Sequence, residues 1–120
     1  MRKLMIPLGI LLFAGCYNDK EDQLYPAGQV CDTTTMSFAI HIQPIVNQNC
    51  ATANCHDAVT KSFGHDLSNF NGVVTSVNSG RLLGAIKHET GFQPMPKGLP
   101  QLDGCEISKI SGWISQGMKQ

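Results

Sequence analysis

Three chemically reactive side chains lie within seven residues near the middle of the chain, at Cys50, Cys55 and His56. The segments 51–66 and 88–100 around and after them carry turn-forming residues and no apolar periodicity, which predicts long loops. Long loops in a small domain need something to pack on, and a chain of this size often needs a disulfide, a metal or a cofactor as well as its core. The group that these three side chains bind therefore constrains the fold more than any apolar pattern does.

Two cysteines followed directly by a histidine form the arrangement that attaches haem covalently. The two thiols bond to the two vinyl groups, and the histidine ligates the iron; the usual spacing is C-x-x-C-H. Here four residues separate Cys50 from Cys55. A longer loop can still deliver both sulfurs, because only the Cys55–His56 dipeptide has to be tight.

The same residues admit three other interpretations. Cys50 and Cys55 could form a local disulfide, which an exported protein permits. The two cysteines and His56 could bind zinc, although adjacent ligands lack the usual two-to-four-residue separation. The cluster could also be fortuitous.

Met95 is the candidate for a second ligand on the iron. It lies between Pro94 and Pro96 in a segment that also contains Gly91 and Gly98, so it is not part of an apolar helix stripe of the kind that a core methionine usually joins. A thioether opposite an imidazole stabilises ferrous iron and raises the reduction potential. His88 is the alternative sixth ligand, or a partner for a haem propionate; Arg81 and Lys87 could also balance propionate charge.

The apolar spacing predicts an all-α domain with a few short helices. A helix is expected within 37–49 with its regular part starting near Pro44, a short one around Val73, and another over 82–86. The last helix is the clearest, because Asp103 and Glu106 form a capping-box pattern ahead of an apolar stripe. That stripe consists of Ile107, Ile110, Trp113 and Ile114, and Gly117 ends it.

The N-terminus predicts export and lipid anchoring. Residues 1–15 have a positive start and a short apolar run, too short for a membrane span, and they end in Leu-x-Ala-Gly before Cys16, which resembles a bacterial lipobox. We therefore expect a lipoprotein signal peptide over 1–15, lipidation of Cys16 and a flexible polar tether over 16–30. The acidic run around Lys20 resembles a surface-export signal, although a short charged run is usually a solvated tether.

Composition limits the partners of the mature chain. Loss of Arg2 and Lys3 with the signal peptide reduces the nine basic residues to seven, against nine acidic ones. A slightly acidic chain without a clustered basic face does not predict nucleic-acid binding. About 105 residues remain, enough for one small domain.

Several segments together resemble small c-type cytochrome domains of the Bacteroidetes type. They are Ile-x-Pro-Ile ahead of Cys-x4-Cys-His within 38–56, Asp-Leu-Ser at 66–68, Leu-x-x-Ile at 83–86, Gly-Phe-x-Pro-Met-Pro at 91–96 and Ile-x-x-Ile-x-x-Trp-Ile at 107–114. The resemblance covers about residues 31–117. The four-residue gap between the cysteines departs from the commonest family pattern, which leaves the maturation machinery open.

The resemblance implies a cytochrome c-like domain over 31–120, with its first and last helices crossing and one covalent haem c between them and the methionine loop. It implies that Cys50 and Cys55 hold the porphyrin through thioethers, and that His56 and Met95 are the axial ligands of the iron. Of the five cysteines, Cys31 and Cys105 then remain. Their positions are close in a cytochrome fold, so the resemblance implies a disulfide; two buried thiols are the alternative.

The expected function is electron transfer by a lipid-anchored monohaem cytochrome. No nucleophile–base pair or carboxylate pair occurs in the sequence beyond the haem-site residues, so we do not expect an enzyme. The expected partners are redox proteins and, through the lipid, the membrane of the cell envelope, facing the periplasm or the cell surface. The alternative is a haem-free binding lipoprotein held together by a disulfide or zinc.

Overall fold

The computed structural model describes residues 31–120. Within that range all regular secondary structure is helical, and there is no β-strand. The predicted all-α class is confirmed at this level. The predicted signal peptide, the tether and the lipidated Cys16 lie outside the described residues.

Four α-helices and two short helical turns make up the described part of the chain. They are a π-helical turn (Phe38–Ile42), α1 (Gln43–Asn49), a 3-10 turn (Ser62–Gly64), α2 (Phe70–Asn78), α3 (Leu82–Ile86) and α4 (Gly104–Ser115). The longest of these, α4, has 12 residues, and no helix between residues 31 and 120 is both long and apolar enough to cross a membrane.

The first helical segment changes its geometry at the proline. The turn Phe38–Ile42 is π-helical, and the regular helix α1 starts at Gln43 with Pro44 in its first turn. Proline fits there because the first N–H groups of a helix have no partner within it. The predicted start of the regular helix near Pro44 is confirmed, and the π-helical turn before it was not predicted.

The predicted capping box starts the last helix. The Glu106 N–H donates to Asp103 Oδ1 at 2.8 Å, and the Asp103 N–H donates back to Glu106 Oε2 at 3.3 Å. These bonds satisfy two of the donors that a helix start leaves free. The helix ends at Ser115, and Gly117 follows in the left-handed conformation with φ +87°.

A compact aromatic cluster joins the two ends of the described chain. The ring of Phe38 lies 5.3 Å from that of Phe70 and 5.7 Å from that of Trp113. Trp113 is fully buried, and its Nε1–H donates to the Lys119 carbonyl at 2.7 Å. The surrounding buried apolar residues are Met36, Ile42, Ile45, Val46, Leu67, Val73, Ile86, Leu102 and Ile110.

A disulfide closes the same end of the domain. Cys31 and Cys105 are bonded, with their Cα atoms 5.5 Å apart. The bond ties the start of the described chain to the first turn of α4, in agreement with the pairing that the resemblance implied.

The middle of the chain carries the two remaining predicted helices. Helix α2 contains the buried Val73. The Asn69 side chain caps the start of this helix by accepting the Gly72 N–H at 2.9 Å. Helix α3 has only five residues. The segment 88–100 after it is irregular, as its glycines and prolines predicted.

Candidate functional site

One cavity of about 590 Å³ lies between the loop that follows α1, helix α3 and the loop 88–100. Its volume is within the range of small-molecule and cofactor sites, roughly 300–1,000 Å³. Cys50, Cys55, His56 and Met95 all line it. The structure therefore brings together all four residues that the sequence analysis selected for this site, although 45 positions separate the first from the last.

The loop between the two cysteines is closed by a backbone hydrogen bond. The His56 N–H donates to the Cys50 carbonyl at 3.1 Å, and Asn54 inside the loop has a left-handed φ of +67°. Asparagine tolerates that conformation better than most residues. The four intervening residues thus form a turn that returns His56 to the side of Cys50, and both cysteines reach the same cavity.

The two cysteines differ in their surroundings. Cys50 is partly buried against the core at the end of α1, whereas Cys55 is exposed, and neither is disulfide-bonded. Burial raises the pKa of the Cys50 thiol to about 11, and the negative charges of Glu106 and of a Cys55 thiolate act in the same direction. Cys50 is therefore a neutral thiol at physiological pH.

The imidazole of His56 is oriented by a backbone carbonyl. Its Nδ1 lies 3.1 Å from the His65 oxygen. A carbonyl can only accept, so Nδ1 carries the hydrogen and the lone pair of Nε2 stays available to a metal. Sequence analysis did not identify this part of the site, because any residue type supplies such a carbonyl.

Met95 lies in the loop on the other side of the cavity. It is partly buried, and its N–H donates to the Ala85 carbonyl of α3 at 3.0 Å. His88, the alternative ligand, is absent from the cavity lining; its Nε2 lies 3.1 Å from the Met95 carbonyl oxygen. The geometry thus presents Met95, and not His88, to the cavity.

The charged residues that line the cavity are cationic. Arg81 and Lys97 are among the lining residues, and no aspartate or glutamate is. Lys87, for which a propionate partner and a solvated role were both open, is absent from the lining, and its Nζ lies 4.0 Å from Glu89 Oε1. The cavity therefore suits a ligand that carries negative charge at its edge.

Apolar side chains form much of the wall. Leu67 and Ile86 are buried there, whereas Phe63 and Leu99 are 88% and 63% exposed. Phe63 also has a left-handed φ of +54°, which is uncommon for an aromatic residue. Their exposure was not predictable from the sequence, since neither residue belongs to a periodic pattern.

The donor types around the cavity are compatible with a haem. In residues 31–120, no group of three or more histidine, cysteine, aspartate or glutamate side chains is arranged to hold a metal. A haem iron needs only two axial ligands from the protein, since the porphyrin supplies the others. One imidazole, one thioether and two thiols around a largely apolar cavity meet that requirement.

Comparisons of the chain with protein-family models, with curated proteins and with solved structures gave no match. The functional argument therefore depends on the site itself.

Proposed function

We propose that this chain is a c-type cytochrome that binds one haem covalently and transfers single electrons, with a cytochrome c-like fold. The observation that carries the proposal is that Cys50, Cys55, His56 and Met95 all line one cavity. The resemblance of the sequence motifs to small cytochrome c domains, which includes these four residues, supports the same function.

Each of the four residues then has a distinct role. Cys50 and Cys55 would hold the haem through thioethers, and His56 (through Nε2) and Met95 (through sulfur) would bind its iron. When bound, the haem supplies an iron that accepts and releases one electron. The His65 carbonyl orients the ring of His56, and the largely apolar wall would reduce the access of water to a bound haem.

A carrier role follows from this ligand set. With two axial ligands from the protein, the iron has no open position for a substrate, so we propose an electron carrier and not an enzyme. Arg81 and Lys97 lie where they can offset the negative charge of the haem propionates.

The location follows from the N-terminal sequence. We propose that lipidated Cys16 anchors the domain to a membrane of the cell envelope, where it exchanges electrons with redox proteins. Acyl-chain burial supplies the anchoring free energy. Cys16→Ser should release a soluble form or stall processing, and equal detergent partitioning of the variant and the wild type would contradict the proposal.

The direct test is the pyridine haemochrome absorbance of protein matured in an export-competent host. The wild type should show one covalent haem per chain, and His56→Ala should not retain it. His41→Ala is the matched control, because His41 does not line the cavity and should leave the haem in place. A wild type that matures without haem and forms a Cys50–Cys55 disulfide would instead favour the haem-free binding lipoprotein.

A further inference from the structure

The loop that carries Met95 contacts helix α3 at two points, at the methionine itself and three residues before it. The Met95 N–H donates to the Ala85 carbonyl at 3.0 Å. The Phe92 ring lies so close to Gly84 that a Cβ there would come within 2.5 Å of it. A side chain at position 84 would force the Phe92 ring to move away from helix α3.

The carbonyl of Met95 has a partner of its own. It lies 3.1 Å from His88 Nε2, and since a carbonyl only accepts, Nε2 must carry the hydrogen. Pro94 and Pro96 have no N–H to donate, so the chain next to Met95 offers few other backbone hydrogen bonds. The bond that Met95 donates to Ala85 and the bond that it accepts from His88 together hold both backbone polar groups of Met95.

His88 holds this position in an unfavourable backbone conformation. Its φ is +52°, in the left-handed region that favours glycine. Glycine would relieve the backbone but could not reach the Met95 carbonyl. Unusual backbone conformations of this kind tend to occur where a side chain has a specific task.

We propose that His88 is a positioning residue: it does not bind the iron, but its Nε2–H holds the Met95 carbonyl and so keeps the Met95 thioether directed into the cavity. This inference depends on the proposed haem function. Loss of the bond should let the methionine leave the iron more often, because the sulfur–iron bond is weak and depends on the loop.

The test compares His88→Leu with His88→Gln in the haem-loaded ferric protein. Leucine removes the donor, whereas glutamine can place an amide N–H at a similar reach. Displacement of Met95 is followed by the rate of cyanide binding and by the far-red sulfur-to-iron charge-transfer band. Loss of a hydrogen bond of ordinary strength corresponds to a change of about two- to tenfold in the equilibrium between bound and released Met95. Cyanide should therefore bind His88→Leu about two- to tenfold faster than it binds the wild type.

Two controls separate positioning from general destabilisation. His88→Gln should return the cyanide rate close to that of the wild type, even if both variants lower the urea midpoint equally. Met95→Ala sets the upper limit, because it removes the ligand altogether. An unchanged cyanide rate in His88→Leu would overturn the inference while leaving the haem function intact. A wild type without the far-red band whose iron opens in His88→Leu would make His88 the ligand and also overturn it.

A measurement on the unaltered protein covers the case in which His88→Leu does not mature. Nitrogen-15 NMR of the ferrous wild type should show the His88 ring with its hydrogen on Nε2. A hydrogen on Nδ1 alone would contradict the inference. Absence of haem from the wild type, seen by pyridine haemochrome, would remove the proposed function itself and is thereby distinguished from failure of the His88 inference.

Discussion

Two regions of this small domain are built in different ways. The first, which we name the terminal clamp, consists of Cys31, the segment 36–49 and helix α4; the second, the cavity loops, consists of 50–66 and 88–100. The clamp contains the fully buried Trp113, the disulfide and the capping box. The cavity loops contain the strongly exposed Phe63 and Leu99. The clamp is stabilised by contacts among its own side chains, whereas the cavity loops surround the cavity and have fewer buried side chains of their own.

Backbone conformation separates the regions in the same way. Asn54, Lys61, Phe63 and His88 have left-handed φ angles without being glycine, and all four lie in the cavity loops. Only one further non-glycine residue in the described part of the chain does so, Met118 beyond α4. Such conformations are uncommon for residues other than glycine and persist where the surrounding structure holds them. We propose that the haem adds to that support in the cavity loops.

The largest expected effect on stability is in the clamp. Trp113→Ala removes a fully buried ring and its hydrogen bond to Lys119, and should lower the free energy of unfolding by about 5 kcal/mol, at the upper end for such core substitutions. Val59→Ala, in the cavity loops, should stay within about 0.5 kcal/mol because the side chain is 91% exposed and does not line the cavity. Urea unfolding measures both, and equal losses would remove the distinction between the regions.

Removal of the disulfide should have the next largest effect. Cys31 and Cys105 are 74 positions apart, and the chain-entropy model gives about 4 kcal/mol for a loop of that length. The double substitution to serine should therefore lower the urea midpoint strongly while leaving the haem attached, since neither residue lines the cavity. Loss of haem together with the disulfide, in protein that still folds, would show that the two regions are coupled more tightly than we propose.

The smallest expected effect is a difference in alkylation rate between Cys50 and Cys55, which lie where the cavity loops begin. With a pKa of about 11, only about 0.1% of Cys50 is thiolate at pH 8, and its thiolate fraction should rise about tenfold per pH unit until that pKa is approached. In the haem-free chain, iodoacetamide should therefore modify the exposed Cys55 first. Peptide mapping by mass spectrometry follows both sites.

Urea provides the control for this alkylation. In the unfolded chain both thiols are solvated, and their rates should become similar. Similar rates without urea would mean that the folded chain does not bury Cys50.

Much of the clamp could be predicted from sequence because its signals are local. The Asp103–Glu106 capping box, the start of α1 near Pro44 and the end of α4 before Gly117 each depend on residues within a few positions of one another. Local signals of this kind need no knowledge of distant contacts. The π-helical turn Phe38–Ile42 was missed, because the same apolar spacing fits a regular helix.

The cavity could be predicted only in part. The chemistry and spacing of the side chains indicated four site residues, and the structure brings all of them to one cavity: Cys50, Cys55, His56 and Met95. The contribution of the His65 carbonyl could not be predicted, because a backbone group has no sequence signature. The sequence indicates His88 as a ligand or a propionate partner, and its bond to the Met95 carbonyl could not be predicted because it depends on a left-handed turn that residue type alone does not specify.

Covalent haem attachment through Cys50 and Cys55 is the central claim, and the mass of a protease fragment containing 50–56 tests it most directly. From protein matured in an export-competent host, the fragment should be heavier by the mass of one haem. It should lose that mass when both cysteines are changed to serine, and keep it when Cys31 and Cys105 are changed. A wild-type fragment at its unmodified mass, under conditions where the host attaches haem to another c-type cytochrome, would contradict the account.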